Sequence, residues 1–150
     1  MTSASLYFSD FAVGQAYRSP RPRAVTETVL AQFGEVSGDM NRIHYDEEFA
    51  KASPFGGRIA HGLLGLSIAS GLLHDLGIVA ESVLAFAGLE WKFKGPVRIG
   101  DSLSMVMTVA RTRALGRRGG LVIFDAVLLN QREETVQEGV WSLMVRPKPS

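Results

Sequence analysis

Ser37–Leu73, SGDMNRIHYDEEFAKASPFGGRIAHGLLGLSIASGLL, is the most informative segment of the chain. It sets an acid, Asp39, five residues ahead of an imidazole, His44, on a glycine-punctuated loop, and then opens an apolar segment at Gly62. From Gly62 to about Leu76 the chain is apolar on nearly every face of a helix, so other elements must cover it on nearly every side. Such a helix of ~15 residues rises ~22 Å, short of the ~20 residues a bilayer demands. It reads as a buried core helix, with Gly65, Ser67, Ser70 and Gly71 keeping it slim for close packing.

N-terminal to this stretch, Thr26-Glu27 has the form of a helix start, a capping hydroxyl followed by an acid in the first turn. Val29, Leu30, Phe33 and Val36 recur at helical spacing, with Thr28, Gln32 and Glu35 on the other faces. Gly38 is placed to end that helix in the left-handed conformation. Asp46 can cap a short second helix, EEFAKA.

C-terminal to it the period changes to two. Leu89, Trp91 and Phe93 alternate with Glu90, Lys92 and Lys94, and Leu103, Met105, Met107 and Val109 alternate with Ser102, Ser104 and Thr108. Leu121–Asn130 and Glu134–Arg146 complete a set of long strands, separated by the turn-like breaks GPVRIGD, LGRRGG and NQREE. Consecutive strands with short links predict an antiparallel meander. One all-apolar helix with several such strands predicts an α+β fold, a curved antiparallel sheet wrapped around the helix.

The chain has 150 residues, enough for one domain over 1–150 that buries roughly two-thirds of its unfolded surface. Hydrophobic residues make up 46% and charged residues 21%, and the net charge of +1 gives no reason to expect nucleic acid as a partner. With no Cys there are no disulfides or thiol nucleophiles, which fits a cytoplasmic protein. The N-terminal MTSASLYFSDF lacks a basic region and a sustained apolar run, so it reads as no secretory signal. Arg18, Arg21 and Arg23 in YRSPRPRAV read as a solvated loop, and Arg117 and Arg118 as a hairpin tip, although either group could meet an anionic substrate.

A carboxylate and an imidazole close together can hold and activate one water, and a helix N-terminus beside them can stabilise an oxyanion. An isolated Asp in SGDMN is more often a turn residue, and an isolated His44 a hydrogen-bonded, half-buried histidine. At this spacing, ahead of this helix, the pair reads as catalytic. Asp39, His44, Asp46 and His61 match no strong zinc pattern, so no metal is expected. His61 reads as packing at the helix start rather than pocket lining, and His74 as a structural residue near the helix end.

SGDMNRIHYD, followed by FGGRIAHG, the apolar helix and FKGPVRIGDSL, resembles the MaoC-like dehydratases, which include the R-specific enoyl-CoA hydratases. Their hallmark is an Asp-x-Asn-Pro-x-His segment on a hot-dog fold, a long helix wrapped by an antiparallel sheet. The resemblance implies that Asp39 and His44 are the catalytic pair and that Gly62 donates its backbone N–H to the thioester oxygen. It matches Asn41 to the motif Asn and Ser70 to a supporting Ser of some members. Arg42 stands where the motif usually has Pro, which leaves the loop freer and adds a charge near the site.

The function this implies is reversible hydration of a trans-2-enoyl thioester, expected to be an acyl-CoA, to the (R)-3-hydroxyacyl thioester. Asp39 would act as base on the water, and His44 would orient it and help deliver a proton to C2. No cofactor is needed, because the thioester acidifies C2. No membrane partner is expected, and a homodimer or higher homo-oligomer is. Gly62 is expected to serve close approach of the thioester and to use backbone angles that glycine permits, with a packing Gly as the equal alternative. The rival readings are a hot-dog thioesterase and a non-catalytic acyl-thioester-binding module.

Overall fold

The computed structural model describes residues 5–150. The first four residues of the N-terminal stretch read as lacking a secretory signal lie outside them. Helix α1 (Glu27–Ser37) starts where the Thr26 side chain accepts the Val29 N–H, and it stops at Gly38, whose φ of 75° is the left-handed cap. Two short helices follow. α2 (Arg42–Tyr45) is capped by the Asn41 side chain, and α3 (Glu47–Lys51) by that of Asp46. Helix α4 (Gly62–Asp75) is the apolar segment.

Six strands complete the chain: β1 (Ala16–Arg18), β2 (Arg23–Ala24), β3 (Val83–Phe93), β4 (Ser102–Ala114), β5 (Gly120–Leu129) and β6 (Thr135–Val145). The sheet runs β1-β4-β5-β6-β3, every pairing antiparallel, with β2 also on β4. This corrects the expected simple meander. β4, β5 and β6 are consecutive hairpins, but β3 crosses over to pair with β6. Residues 94–101 are too long for a tight two-residue hairpin. Their backbone is spent elsewhere, with Val97 accepting from the Ala60 N–H and Arg98 bridging to Ile59 just before α4.

The N-terminal YRSPRPRAV is likewise more than a solvated loop, because β1 and β2 extend the sheet on either side of Pro20 and Pro22. A proline cannot donate to a ladder, so it separates the two short edge strands. Arg18 is held there by a bidentate pair with Glu133 at 3.0 and 2.6 Å.

Burial follows the period-two pattern most strictly on β4, where Leu103, Met105, Met107 and Val109 are all buried. They face α4, which buries Leu64, Gly65, Ile68, Ala69, Leu72 and Leu73. The helix is not covered on every side, however. Leu63, Ser67, Ser70, Gly71 and His74 form an exposed stripe, because one sheet can cover only one face of a helix. Of the four small residues expected to allow close packing, Gly65 is the one where a side chain would collide with a neighbouring element. Leu89 and Phe93 of β3 are exposed too, since β3 is the last strand of the sheet and its outer edge is unpaired. Among the described residues, no helix is long and apolar enough to cross a membrane.

Candidate active site

The loop between α1 and α2 carries Asp39, and its shape comes from short-range hydrogen bonds. The Asp39 N–H donates to Ser37 Oγ at 3.1 Å, and Asp39 Oδ1 accepts the Asn41 N–H at 3.2 Å. Asn41 in turn caps α2, accepting the Ile43 N–H at 3.3 Å. The motif Asn therefore sets the start of the helix that carries His44. Arg42 is the first residue of α2, a position where a missing N–H costs nothing and the φ of Pro is already helical. Arg42 does not point its charge at the site. It pairs with Asp46 at 2.9 Å and lies over the Phe49 ring, 4.5 Å from the centroid.

His44 is buried, and its Nδ1 lies 2.7 Å from the Ile59 carbonyl oxygen. A carbonyl only accepts, so Nδ1 carries the hydrogen and Nε2 keeps its lone pair. Burial holds the His44 pKa below the ordinary imidazole value, and the nearby His61 adds to that, outweighing the Ile59 bond and the charge of Asp39. The ring is therefore neutral near pH 7.

The structure brings a carboxylate oxygen of Asp39 and ring nitrogens of His44 and His61 within 4.8 Å of one another. Asp46 is not in this group; its carboxylate is committed to Arg42 and to capping α3. His61, read from sequence as helix-start packing, is buried at the core of the site. Its ring stacks on His44, centroids 3.8 Å apart and planes 28° apart, and meets the edge of Phe33 at 4.8 Å. Its Nε2 lies 2.9 Å from the Asp39 carbonyl oxygen and 3.3 Å from the Tyr45 hydroxyl, while Tyr45 donates to the Leu30 carbonyl at 2.8 Å.

Gly62 opens α4 directly after His61. Among the described residues its N–H and that of Leu63 have no protein acceptor, as expected for a first helical turn. Gly62 has no positive φ, so special backbone angles are not why glycine stands there. Space is the reason: a Cβ on Gly62 would lie 2.7 Å from the Phe93 ring. The Gly62 carbonyl accepts from Gln137 Nε2 at 3.1 Å, and Gln137 Oε1 accepts the Trp91 indole N–H at 2.8 Å. Gln137 is buried and ties the first turn of α4 to β3 and β6, a part the sequence pattern did not reveal. A polar residue at an inward position of a strand was the available signal.

Beside Gly62 opens an apolar pocket of about 680 Å³, lined by Phe55, Ile59, Leu63, Phe93 and Val97 among others. Ser70 is not brought to the dyad. It lies two turns along α4, about 12 Å by helical rise, exposed and donating to the Ser67 carbonyl at 2.6 Å.

A long helix lying against an antiparallel sheet is the hot-dog fold. Residues 9–123 match the MaoC like domain, and the chain belongs to that family. It is 34% identical over 129 residues to the 3-hydroxybutyryl-CoA dehydratase of Methylorubrum extorquens, covering 83% of this chain and 80% of the relative. It is 32% identical over 103 residues to the (R)-specific enoyl-CoA hydratase of Rhodospirillum rubrum, covering 69% of each. A solved structure of an Archaeoglobus protein described as a monoamine oxidase regulatory protein superimposes with a TM-score of 0.90. That protein is 33% identical, with 99% of both chains covered. The chain is an enzyme of the hydratase and dehydratase kind, a hydro-lyase.

Proposed function

We propose that the protein adds water reversibly across the double bond of a trans-2-enoyl thioester, carried by CoA, to give the (R)-3-hydroxyacyl thioester. The observation that carries this reading is the juxtaposition of Asp39 and the neutral His44 beside the free N–H of Gly62. Two relatives named for this chemistry on CoA thioesters support the substrate class.

In this mechanism the water lies between the Asp39 carboxylate and His44 Nε2. The Nε2 lone pair accepts one O–H and orients the oxygen. Asp39 takes the other proton as the C3–O bond forms. The electron pair of the C2=C3 bond moves to the thioester oxygen, where the Gly62 N–H and the dipole of α4 stabilise it. The electrons then return to C2, which takes the proton from Asp39, so that water is split across the two carbons and the enzyme is regenerated. His44 begins without a proton on Nε2, which favours Asp39 over His44 as the donor to C2. The apolar pocket beside Gly62 is the place for the acyl group.

The unpaired edge of β3, with Leu84, Phe86, Leu89 and Phe93 exposed along it, is a liability in a monomer. Antiparallel pairing of two β3 edges across a two-fold axis removes it, and a homodimer is part of this reading.

The test is product analysis with a four-carbon enoyl-CoA. Loss of the conjugated enoyl absorbance without free thiol, and an (R) product on chiral separation, is expected. Thiol release would point to hydrolysis, and binding without turnover to a non-catalytic module; either would overturn the proposal.

A further inference from the structure

The turn between β4 and β5 places Arg117 and Arg118 at the end of the sheet where β3 begins and β6 ends. They line a surface cleft of about 710 Å³ with Arg146 and Lys148, against one acidic side chain, Glu81. Lys148 is paired with Asp10 at 3.0 Å. Arg117, Arg118 and Arg146 form no salt bridge among the described residues. Three unpaired guanidinium groups around one cleft suit a ligand with several phosphate oxygens, which they can grip in a bidentate way.

The cleft cannot serve the site of its own protomer. That site lies at the Phe93 end of β3, where Phe93 pairs with Gln137 and Gln137 holds Gly62. The cleft lies at the Val83 end, where Val83 pairs with Val145 and Leu84 lines the cleft. The 11 residues of β3 separate the two ends by about 30 Å at the rise of a strand. The arm of CoA between sulfur and diphosphate spans only about 15 Å at the extended rise of a chain of similar bonds. Antiparallel pairing of two β3 edges changes this. It sets the Val83 end of one copy beside the Phe93 end of the other, one strand spacing of about 4.8 Å away.

We propose that Arg117, Arg118 and Arg146 form a phosphate clamp that acts in trans, holding the nucleotide end of CoA whose thioester lies in the partner subunit's site. The inference rests on the thioester reading and on the β3-edge dimer put forward above.

The experiment compares an enoyl-CoA with the same enoyl group on N-acetylcysteamine, a thioester without phosphates. The quantity read is the preference, the ratio of the two kcat/KM values. In the R117A/R118A homodimer the preference should fall about tenfold, the loss expected for two exposed charge-assisted contacts. An unchanged preference would overturn the clamp. A mixed dimer, isolated with two affinity tags, then joins one D39N protomer to one R117A/R118A protomer. Its only intact dyad faces arginines supplied by the D39N copy, so the preference should return to the wild-type value. A mixed dimer as poor as the R117A/R118A homodimer would overturn action in trans. Sedimentation of the wild-type protein separates the two levels. A monomer would overturn the dimer and the clamp together, while the product assay would still judge the thioester reading.

Discussion

Gly65→Ala tests whether the first turn of α4 is set by the buried Gln137 knot. A Cβ at position 65 would lie 2.3 Å from Gln137 Nε2 and 2.9 Å from its Cδ. The amide cannot swing into solvent, since Gln137 is 1% exposed and bonded to both Trp91 and Gly62. Either both hydrogen bonds are lost or α4 is pushed away from the sheet. Two buried polar groups left unpaired cost about 3 kcal/mol together, and crowding adds ~1 kcal/mol. The better helix propensity of Ala offsets ~1 kcal/mol. The net destabilisation is about 3 kcal/mol, or about 10 °C in melting temperature for a chain of this size. Urea unfolding and thermal melting read it directly. Gln137→Ala alone should also destabilise, yet the double variant should be less damaged than the sum of the two, because removing the amide removes the clash. A Gly65→Ala protein within ~1 kcal/mol of wild type, or strict additivity in the cycle, would refute the reasoning.

Three further outcomes follow from the site. Asp39→Asn should lower turnover by roughly 10²–10⁴-fold, and the Asp39→Asn/His44→Ala double variant should be little worse than either single one, since residues acting on one water lose activity as a unit. Steady-state kinetics that multiplied cleanly would count against a shared water. Gly62→Val should fold, because Phe93 is exposed and can rotate away; it should turn over poorly, because the valine side chain crowds the thioester oxygen. Melting and kinetics on one sample decide it, and unimpaired hydration would place the oxyanion donor elsewhere. Because burial depresses the His44 pKa, the neutral ring persists below the ordinary value of ~6.5. Activity should therefore hold as pH drops through that value and fall only at lower pH. The sign for stability is the same: the His44 contribution is complete above the unfolded pKa and is lost as pH falls through the depressed folded one. A pH profile with its acid limb at or above the ordinary imidazole range would contradict this.

The elements set by local rules were legible from the chain alone. Thr26 and Gly38 mark both ends of α1 because capping depends on a few adjacent residues. Asp46 does the same for α3. The inward side chains of β4 follow from a period of two that needs no partner to be read. The pairing of Asp39 with His44 was legible too, since both lie on one short loop-helix segment.

What stayed hidden depends on residues far apart in sequence. Nothing local shows that β3 pairs with β6 rather than β4, because hydrogen bonds of a ladder carry no side-chain label. Nothing local shows that His61 stacks on His44, since a histidine before a helix has the same local signature whether it packs or lines a site. The reason for Gly62 belongs here as well: position left special backbone angles and close packing both open, and only the approach of Phe93 shows that the constraint is space. By itself, then, the sequence determined the ends of α1, the start of α3, the inward face of β4 and the nearness of Asp39 to His44, all products of near-neighbour chemistry. Tertiary structure alone decided the strand order, the imidazole stack and the Gln137 tie, because each arises from packing between segments that the chain brings together only on folding.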